Sequence, residues 1–318
     1  MKVLHITTNY PTEEFPIFGI FVKEQIESLQ KLGVDNDVFY CDGKNKGFRK
    51  YITYVPKLWW KILTTKYDIL HCHHALSAII LCMTGWTLLK KCVLSYQNDP
   101  DHEWGHRCFK IFNAVFNKFI VKNNSTYLKY PKMTYLPNGC NEDFFKPMDM
   151  MESRKQLGLE EDKIYIMYMD SNKGVRTQKR KDRYDQTLEI LKNEYGYHNI
   201  VSIELRNTRR ELIPTYMNAC NLHLMSSDFE GSPNSVKECM CCNTPVVSTN
   251  VGNVKEMIGD IEGCYISNSF TAEELAQLTD CVLSSTMEFN GRQKFLDKGY
   301  GMTNVAVKLQ SIYQSILN

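Results

Sequence analysis

Glu230 and Glu238 stand eight residues apart in SSDFEGSPNSVKECMCCNTPVV (226–247), with Gly231, Ser232 and Pro233 between the first glutamate and the helix-like stretch that holds the second. Serine is favoured at a helix N-cap and proline at the first helical position, so the order predicts a helix starting at Ser232-Pro233. A helix start beside a Gly-Ser turn offers free backbone N–H groups and the positive end of a dipole. That is the chemistry of a diphosphate seat. Asn234 and Ser235, in the first turn, add donors. Glu230 is then expected at the mouth of the seat, with Glu238 about two turns along the helix.

These residues need a scaffold, and the flanking pattern describes one. KVLHITT (2–8) reads as a buried first strand, and a helix ending near Gly33 follows it. DNDVFYC (35–41), DILHCHH (68–74) and KCVLSYQ (91–97) read as further strands. MTYLPNGCNEDFFKP (133–147) reads as a short strand, a turn and an exit from a first domain. A second series follows, with strands at 163–171, 199–205, 221–227 and 245–249 and helices between them, and the chain ends in a helix near 303–317. Strands alternating with helices indicate parallel α/β sheets, whose ligands lie outside the carboxyl ends of the strands. In the first domain those ends are Thr7–Asn9, His71–His74 and Gln97–Asp99.

Length and composition suit two such domains. The chain has 318 residues, 43% of them hydrophobic and 23% charged, as in globular proteins. The longest charge-free apolar stretch, Ala75–Leu89, has 15 residues, short of the ~20 needed to span a bilayer. Met1-Lys2 leads directly into strand-like residues, so no signal peptide is expected. The twelve cysteines form no regular framework, which suits a reducing cytoplasm.

The segment from Glu230, EGSPNSVKE continued by NTPVVST and NVGNVKEM, resembles the E-x7-E region of retaining glycosyltransferases of family 4, the group 1 enzymes of GT-B fold. Pro137, Asn138, Gly139, Phe145 and Pro147 match the family's P-N-G-x-x-x-x-x-F-x-P pattern. The resemblance is dense from 199 to 266 and looser before 133. It implies two Rossmann-like domains facing across a cleft. Residues 1–147 would form the acceptor side, joined by a C-terminal helix at about 303–318, and 148–302 would bind the donor. It also implies a retaining, metal-independent transferase of hexosyl type with no resident cofactor. The donor would be a nucleotide-sugar, UDP- or GDP-linked, and the acceptor a glycan or lipid-linked oligosaccharide in cell-surface polysaccharide synthesis.

The resemblance further implies that Glu238 binds the donor ribose, as a carboxylate accepting two hydrogen bonds from a diol. Glu230 would face the transferred sugar as an electrostatic and positioning group, the leaving phosphate itself deprotonating the acceptor. Cations for the diphosphate are expected from NKGVRTQKRKDRYD (172–185): Arg176 first, then Lys181 in competition with Lys179 and Arg183. The family's usual Lys-Gly pair does not align cleanly there. Gly19 matches a family glycine near the phosphates. Gln97 stands where many relatives carry a histidine, and it can hydrogen-bond a sugar but not act as a base. Asp99 and His102 are nearby acceptor-side substitutes.

His71-Cys72-His73-His74 invites a metal reading, but adjacent strand residues point to opposite faces, so four in a row cannot close one site. No metal is expected. Residues 1–146 carry 19 basic and 13 acidic side chains, against 19 and 23 in the remainder. Lys44–Lys66 holds seven basic residues and no acidic one, interleaved with Phe48, Tyr51, Tyr54, Trp59 and Trp60. Peripheral contact with an anionic membrane at its inner face and a plain solvated helix with snorkelling lysines both fit that stretch. No motif supports nucleic-acid binding. Two alternatives to the transferase stand beside it: a catalytically silent GT-B subunit that binds sugar nucleotide, and a nucleotide-sugar epimerase.

Overall fold

The computed structural model describes residues 1–15, 17–43, 49–97, 100–103, 105–122, 126–170, 177–206 and 208–318. The chain forms two compact units, Met1–Gly139 with Met302–Asn318, and Cys140–Gly301. The crossing falls at Gly139, ahead of Pro147, because the exit segment belongs to the second core. Phe145 is buried there, and Arg292 donates to the carbonyls of Phe145 at 2.9 Å and Glu142 at 3.0 Å.

The first unit is built on strands β1 (Lys2–Thr7), β2 (Asp35–Tyr40), β3 (Ile69–His73), β4 (Lys91–Ser95), β5 (Lys118–Val121) and β6 (Met133–Tyr135). They pair in parallel in the order β2-β1-β3-β4-β5-β6. Both faces are covered, as parallel sheets require. Leu4, Ile6, Leu70, Cys72 and Leu94 meet Leu58 and Ile62 of the helix Tyr54–Thr64 on one face. Val3, Ile69, Val93 and Ile120 meet Leu29 and the closing helix, Met302–Leu317, on the other. That helix buries Val305, Ala306, Leu309 and Tyr313, a single stripe at helical spacing.

The second unit holds β7 (Ile164–Met169), β8 (Ile200–Leu205), β9 (Leu222–Met225), β10 (Val246–Thr249) and β11 (Tyr265–Ser267), all parallel in the order β11-β10-β9-β7-β8. The chain steps from β7 outward to β8 and then returns to β9 on β7's other side. The loops after β7 and β9 therefore leave in opposite directions and open a crevice at their carboxyl ends, where open α/β sheets bind ligands. Strands β5 and β11 and the helix Gly105–Val115 were not expected.

Candidate active site

The helix that carries the second glutamate runs Asn234–Cys241, one residue later than expected. Pro233 is its N-cap, with ψ 121, so the proline's extended backbone ends the loop rather than opening the helix. Ser232 does not cap. Its hydroxyl instead accepts from the Lys237 ammonium at 3.1 Å. Lys237 is fully buried, and burial, partly countered by Cys140, Glu238 and Cys241, pushes its pKa down to about 8. Ser235 is also committed inward. His223 Nδ1 faces the Met167 carbonyl at 3.0 Å and so must carry the proton there. Its Nε2 is then an acceptor, and the Ser235 hydroxyl donates to it at 3.1 Å. The hydroxyl hydrogen of Ser235 is thereby spent, and its backbone N–H is the donor left for a ligand. Glu238 lies half-buried on the same helix.

Glu230 sits in the loop after β9. Its Oε1 meets Lys179 Nζ at 2.5 Å and accepts from the Ser227 hydroxyl at 3.3 Å. Lys179 ends the short turn Thr177–Lys179 in the loop after β7. This ion pair therefore bridges the two loops that diverge at the crevice. The turn is held in place by Ser226, whose hydroxyl donates to the carbonyls of Lys179 at 3.0 Å and Arg180 at 2.9 Å. Backbone Asp228 N–H donates to the Gln178 carbonyl at 2.8 Å. Arg180 takes φ 50, the left-handed conformation that glycine adopts without cost. Lys179 therefore meets Glu230 immediately before a left-handed residue.

Among the described residues, the basic side chains that follow have structural partners. Lys181 pairs with Asp185 and, at 2.9 Å, with Glu204, and it lies over the Tyr168 and Tyr184 rings. The structure brings Lys179, not Lys181, to Glu230, because helix Lys181–Asn193 turns the later side chain toward β8. Arg183 donates to the Ser226 carbonyl and to Asp228, each at 2.7 Å. Burial opposes ionisation of Asp228, yet hydrogen bonds from Arg183 and Arg180 outweigh it and hold the carboxyl below its usual range. Arg176 and Asp99 lie outside the described residues.

Gly252, in the NVGN segment after β10, explains why that motif accompanies the glutamates. Its φ is +55, and a Cβ there would lie 2.3 Å from the Gly231 carbonyl oxygen and 2.7 Å from that of Glu230. The Glu230-Gly231 peptide can approach this loop only because no side chain intervenes. Thr249 fastens the same loop from below, its hydroxyl donating to the Ser227 carbonyl at 2.6 Å.

In the first unit, Gly19 has φ 70 and precedes the helix Ile20–Lys31, and a Cβ would meet the Asn9 carbonyl oxygen at 2.3 Å. Its glycine is required by the loop leaving β1. Gln97 is half-buried, and its side-chain oxygen accepts from Asn138 Nδ2 at 3.3 Å. Its backbone N–H donates to Glu103 at 2.5 Å. Glu103, which the sequence reading passed over, is buried and also accepts from Ala75 N–H at 3.2 Å, tying together the carboxyl ends of β3 and β4. A lone acid in the sequence carries no signal of such burial.

The histidine run alternates as expected: Cys72 joins one face of the sheet, while His71 and His73 share the other. The neighbouring strand adds a third imidazole, His5, and the donor atoms of the three lie within 4.8 Å of one another. Asn36 sets the tautomers. Its Nδ2 donates to the Val34 carbonyl, so its oxygen faces His5 Nε2, which carries the proton. His5 Nδ1 then accepts from His73 Nε2 at 2.9 Å. Both His71 nitrogens are taken, by the Tyr313 hydroxyl at 2.6 Å and by Ser95 at 2.8 Å. The three rings form a hydrogen-bonded polar layer inside the unit, with pKa values lowered by burial, that of His5 to about 4.

Residues 181–301 match the family model for glycosyl transferases group 1. No curated protein sequence matches the chain. Sucrose-phosphate synthase from Thermosynechococcus elongatus superposes with a TM-score of 0.73 at 16% identity, over 99% of each chain. HepE from Anabaena in complex with UDP gives 0.72 at 14% identity, over 99% of this chain and 100% of that one. A glycosyltransferase from Rickettsia africae gives 0.71 at 15% identity, over 100% and 98%. The fold is GT-B, two parallel-sheet α/β domains with the C-terminal helix returned to the first, and its second unit carries the group 1 sequence pattern.

Proposed function

We propose that the protein is a retaining, metal-independent glycosyltransferase of hexosyl type that moves a sugar from a nucleotide-sugar to a glycan or lipid-linked oligosaccharide in cell-surface polysaccharide synthesis. The observation that carries this reading is the Lys179–Glu230 pair at the crevice of the second sheet, beside the start of the helix bearing Glu238. The diphosphate seats on the backbone N–H groups that open this helix, and Lys179 supplies positive charge where the leaving group becomes more negative. An ammonium has three donors, so engaging Glu230 leaves others for phosphate oxygens. Glu230 stabilises the electron-poor sugar, and Glu238 accepts from the ribose hydroxyls. The leaving phosphate takes the acceptor's proton, so no side-chain base is required and Gln97 in place of a histidine is tolerated.

The donor base is UDP- or GDP-linked in this reading. The protein works in the cytoplasm, with its first unit against the inner face of a membrane through 44–66. No helix among the described residues is long and apolar enough to cross a membrane.

Calorimetric titration with UDP- and GDP-sugars, followed by turnover without added metal, tests the reading. Glu238→Ala weakens donor binding by roughly 10–100-fold, the loss of hydrogen bonds to a charged group. A Glu230→Gln, Glu238→Ala double variant that turns over donor like the wild type would sink the site. Gln97 favours one second reading, a silent sugar-nucleotide-binding subunit. It is distinguished by tight donor binding with no hydrolysis or transfer.

A further inference from the structure

The carboxyl ends of β3 and β4 hold a network that the donor chemistry does not use, and Glu103 is its centre. One carboxylate oxygen accepts from the Gln97 backbone N–H at 2.5 Å, and the other from the Ala75 N–H at 3.2 Å. The second oxygen also lies 3.7 Å from His74 Nε2. A buried carboxylate that gathers two backbone donors fixes both strand ends at once. His74 takes φ 115 and ψ 145, a backbone region costly to any residue but glycine. Its Nδ1 accepts from the Leu76 N–H at 3.3 Å, so the proton of the neutral ring sits on Nε2, toward Glu103. Strain of this kind persists where surrounding contacts over-determine it, and it gathers at ligand sites. The strand ends are also where open α/β sheets bind ligands.

Gln97 is what this network presents. Its backbone N–H is taken by Glu103, and its side-chain oxygen accepts from Asn138 Nδ2 at 3.3 Å. Its amide nitrogen meets no partner among the described residues. The half-buried side chain therefore faces a ligand with N–H donors, its oxygen being already engaged. A sugar hydroxyl satisfies a donor or an acceptor, whereas a carbonyl or carboxylate oxygen satisfies only a donor. Charge selects between the last two. The Glu103 carboxylate stands 2.5 Å from the Gln97 nitrogen, so an incoming anion would meet a like charge at short range in a poorly screened place. The buried Lys122 lies toward the imidazole layer, where its charge lowers the pKa of His71 and His73. A neutral acyl carbonyl fits both conditions.

We infer that Gln97 determines acceptor specificity, its amide N–H donating to the acyl carbonyl of an N-acylated amino sugar, and that Glu103 is the positioning residue that aims it. The inference rests on the transferase reading above and names an acceptor class that the reading leaves open.

Ligand-observed NMR titration of the full chain, without donor, tests it with octyl glycosides of N-acetylglucosamine, glucose and glucuronic acid. The N-acetyl glycoside binds roughly tenfold tighter than the glucoside, the worth of one hydrogen bond. The glucuronide binds no tighter than the glucoside. Gln97→Glu keeps the shape but turns the donor into an acceptor oxygen. It abolishes the N-acetyl preference and weakens that glycoside by roughly tenfold or more. A side chain that accepted from a sugar hydroxyl would bind as well or better after this change. Glu103→Gln lowers the preference by roughly threefold or more with UDP-sugar affinity unchanged, and in turnover it raises acceptor KM more than it lowers kcat. A purely structural Glu103 would lower Tm and leave the preference intact. Equal binding of the three glycosides, preference for the glucuronide, absence of binding, or a preference that survives Gln97→Glu overturns the inference. The two readings fail separately. A chain that binds the N-acetyl glycoside but neither UDP- nor GDP-sugar loses the transferase reading, and one that turns over donor without N-acetyl preference loses this inference alone.

Discussion

At the scale of single residues, the site turns on which of several neighbouring cations faces Glu230. Four basic side chains fall between 179 and 183, and composition treats them alike. Their partners do not. Lys181 and Arg183 are held by Glu204, Asp185, Asp228 and the Ser226 carbonyl, whereas Lys179 meets Glu230. Lys179→Ala is expected to lower kcat by ~100-fold or more, the effect of removing a preorganised charge from a developing anion. Lys181→Ala should leave kcat within a few-fold and cost at most about 1 kcal/mol in urea unfolding, as a partly exposed pair does. Equal losses of kcat in the two variants would refute the assignment. Tyr313→Phe probes a distant residue of another kind. It removes the hydroxyl at His71 Nδ1 in a fully buried site, so a loss of about 1–3 kcal/mol is expected with the fold retained.

At the scale of elements, the loop after β9 is positioned by what packs against it. Gly252→Ala places a methyl group against the Gly231 and Glu230 carbonyls and forces alanine to φ +55. A loss of about 2 kcal/mol or more in thermal or urea unfolding is expected, together with weaker donor binding, because Glu230 must shift. If unfolding and donor titration both matched the wild type, the close approach would carry no weight. Much at this scale was readable in advance. The alternation of strands and helices, the closing helix and the helix holding Glu238 follow from periodicity and from Gly and Pro punctuation, which are local properties. The start of that helix was misplaced by one residue because Ser232 serves Lys237 instead of capping. That choice depends on a lysine buried by the core.

Across the whole molecule, buried neutral histidines tie stability to pH. His5 and His223 are held at about 4 by burial, and His71 and His73 well below their ordinary value. At pH 7 these imidazoles are neutral whether the chain is folded or not. As pH falls below about 6.5 the unfolded chain takes up protons that the folded one refuses, so stability declines toward pH 4 by about 1.4 kcal/mol per pH unit for each such histidine. Urea midpoints measured between pH 7.5 and about 4.5 check this, and a midpoint that is flat or rises on acidification contradicts it.

Local order along the chain specified two α/β series, a glycine-bounded loop and an E-x7-E helix, because hydrophobic period, caps and turn residues act over a few neighbours. Which lysine reaches Glu230, why Gly252 must be glycine, how His5 completes the layer begun by His71 and His73, and how Asn138 reaches Gln97 were settled by the fold. Each joins positions far apart in the chain through sheet order and packing, and periodicity carries no information about such pairs.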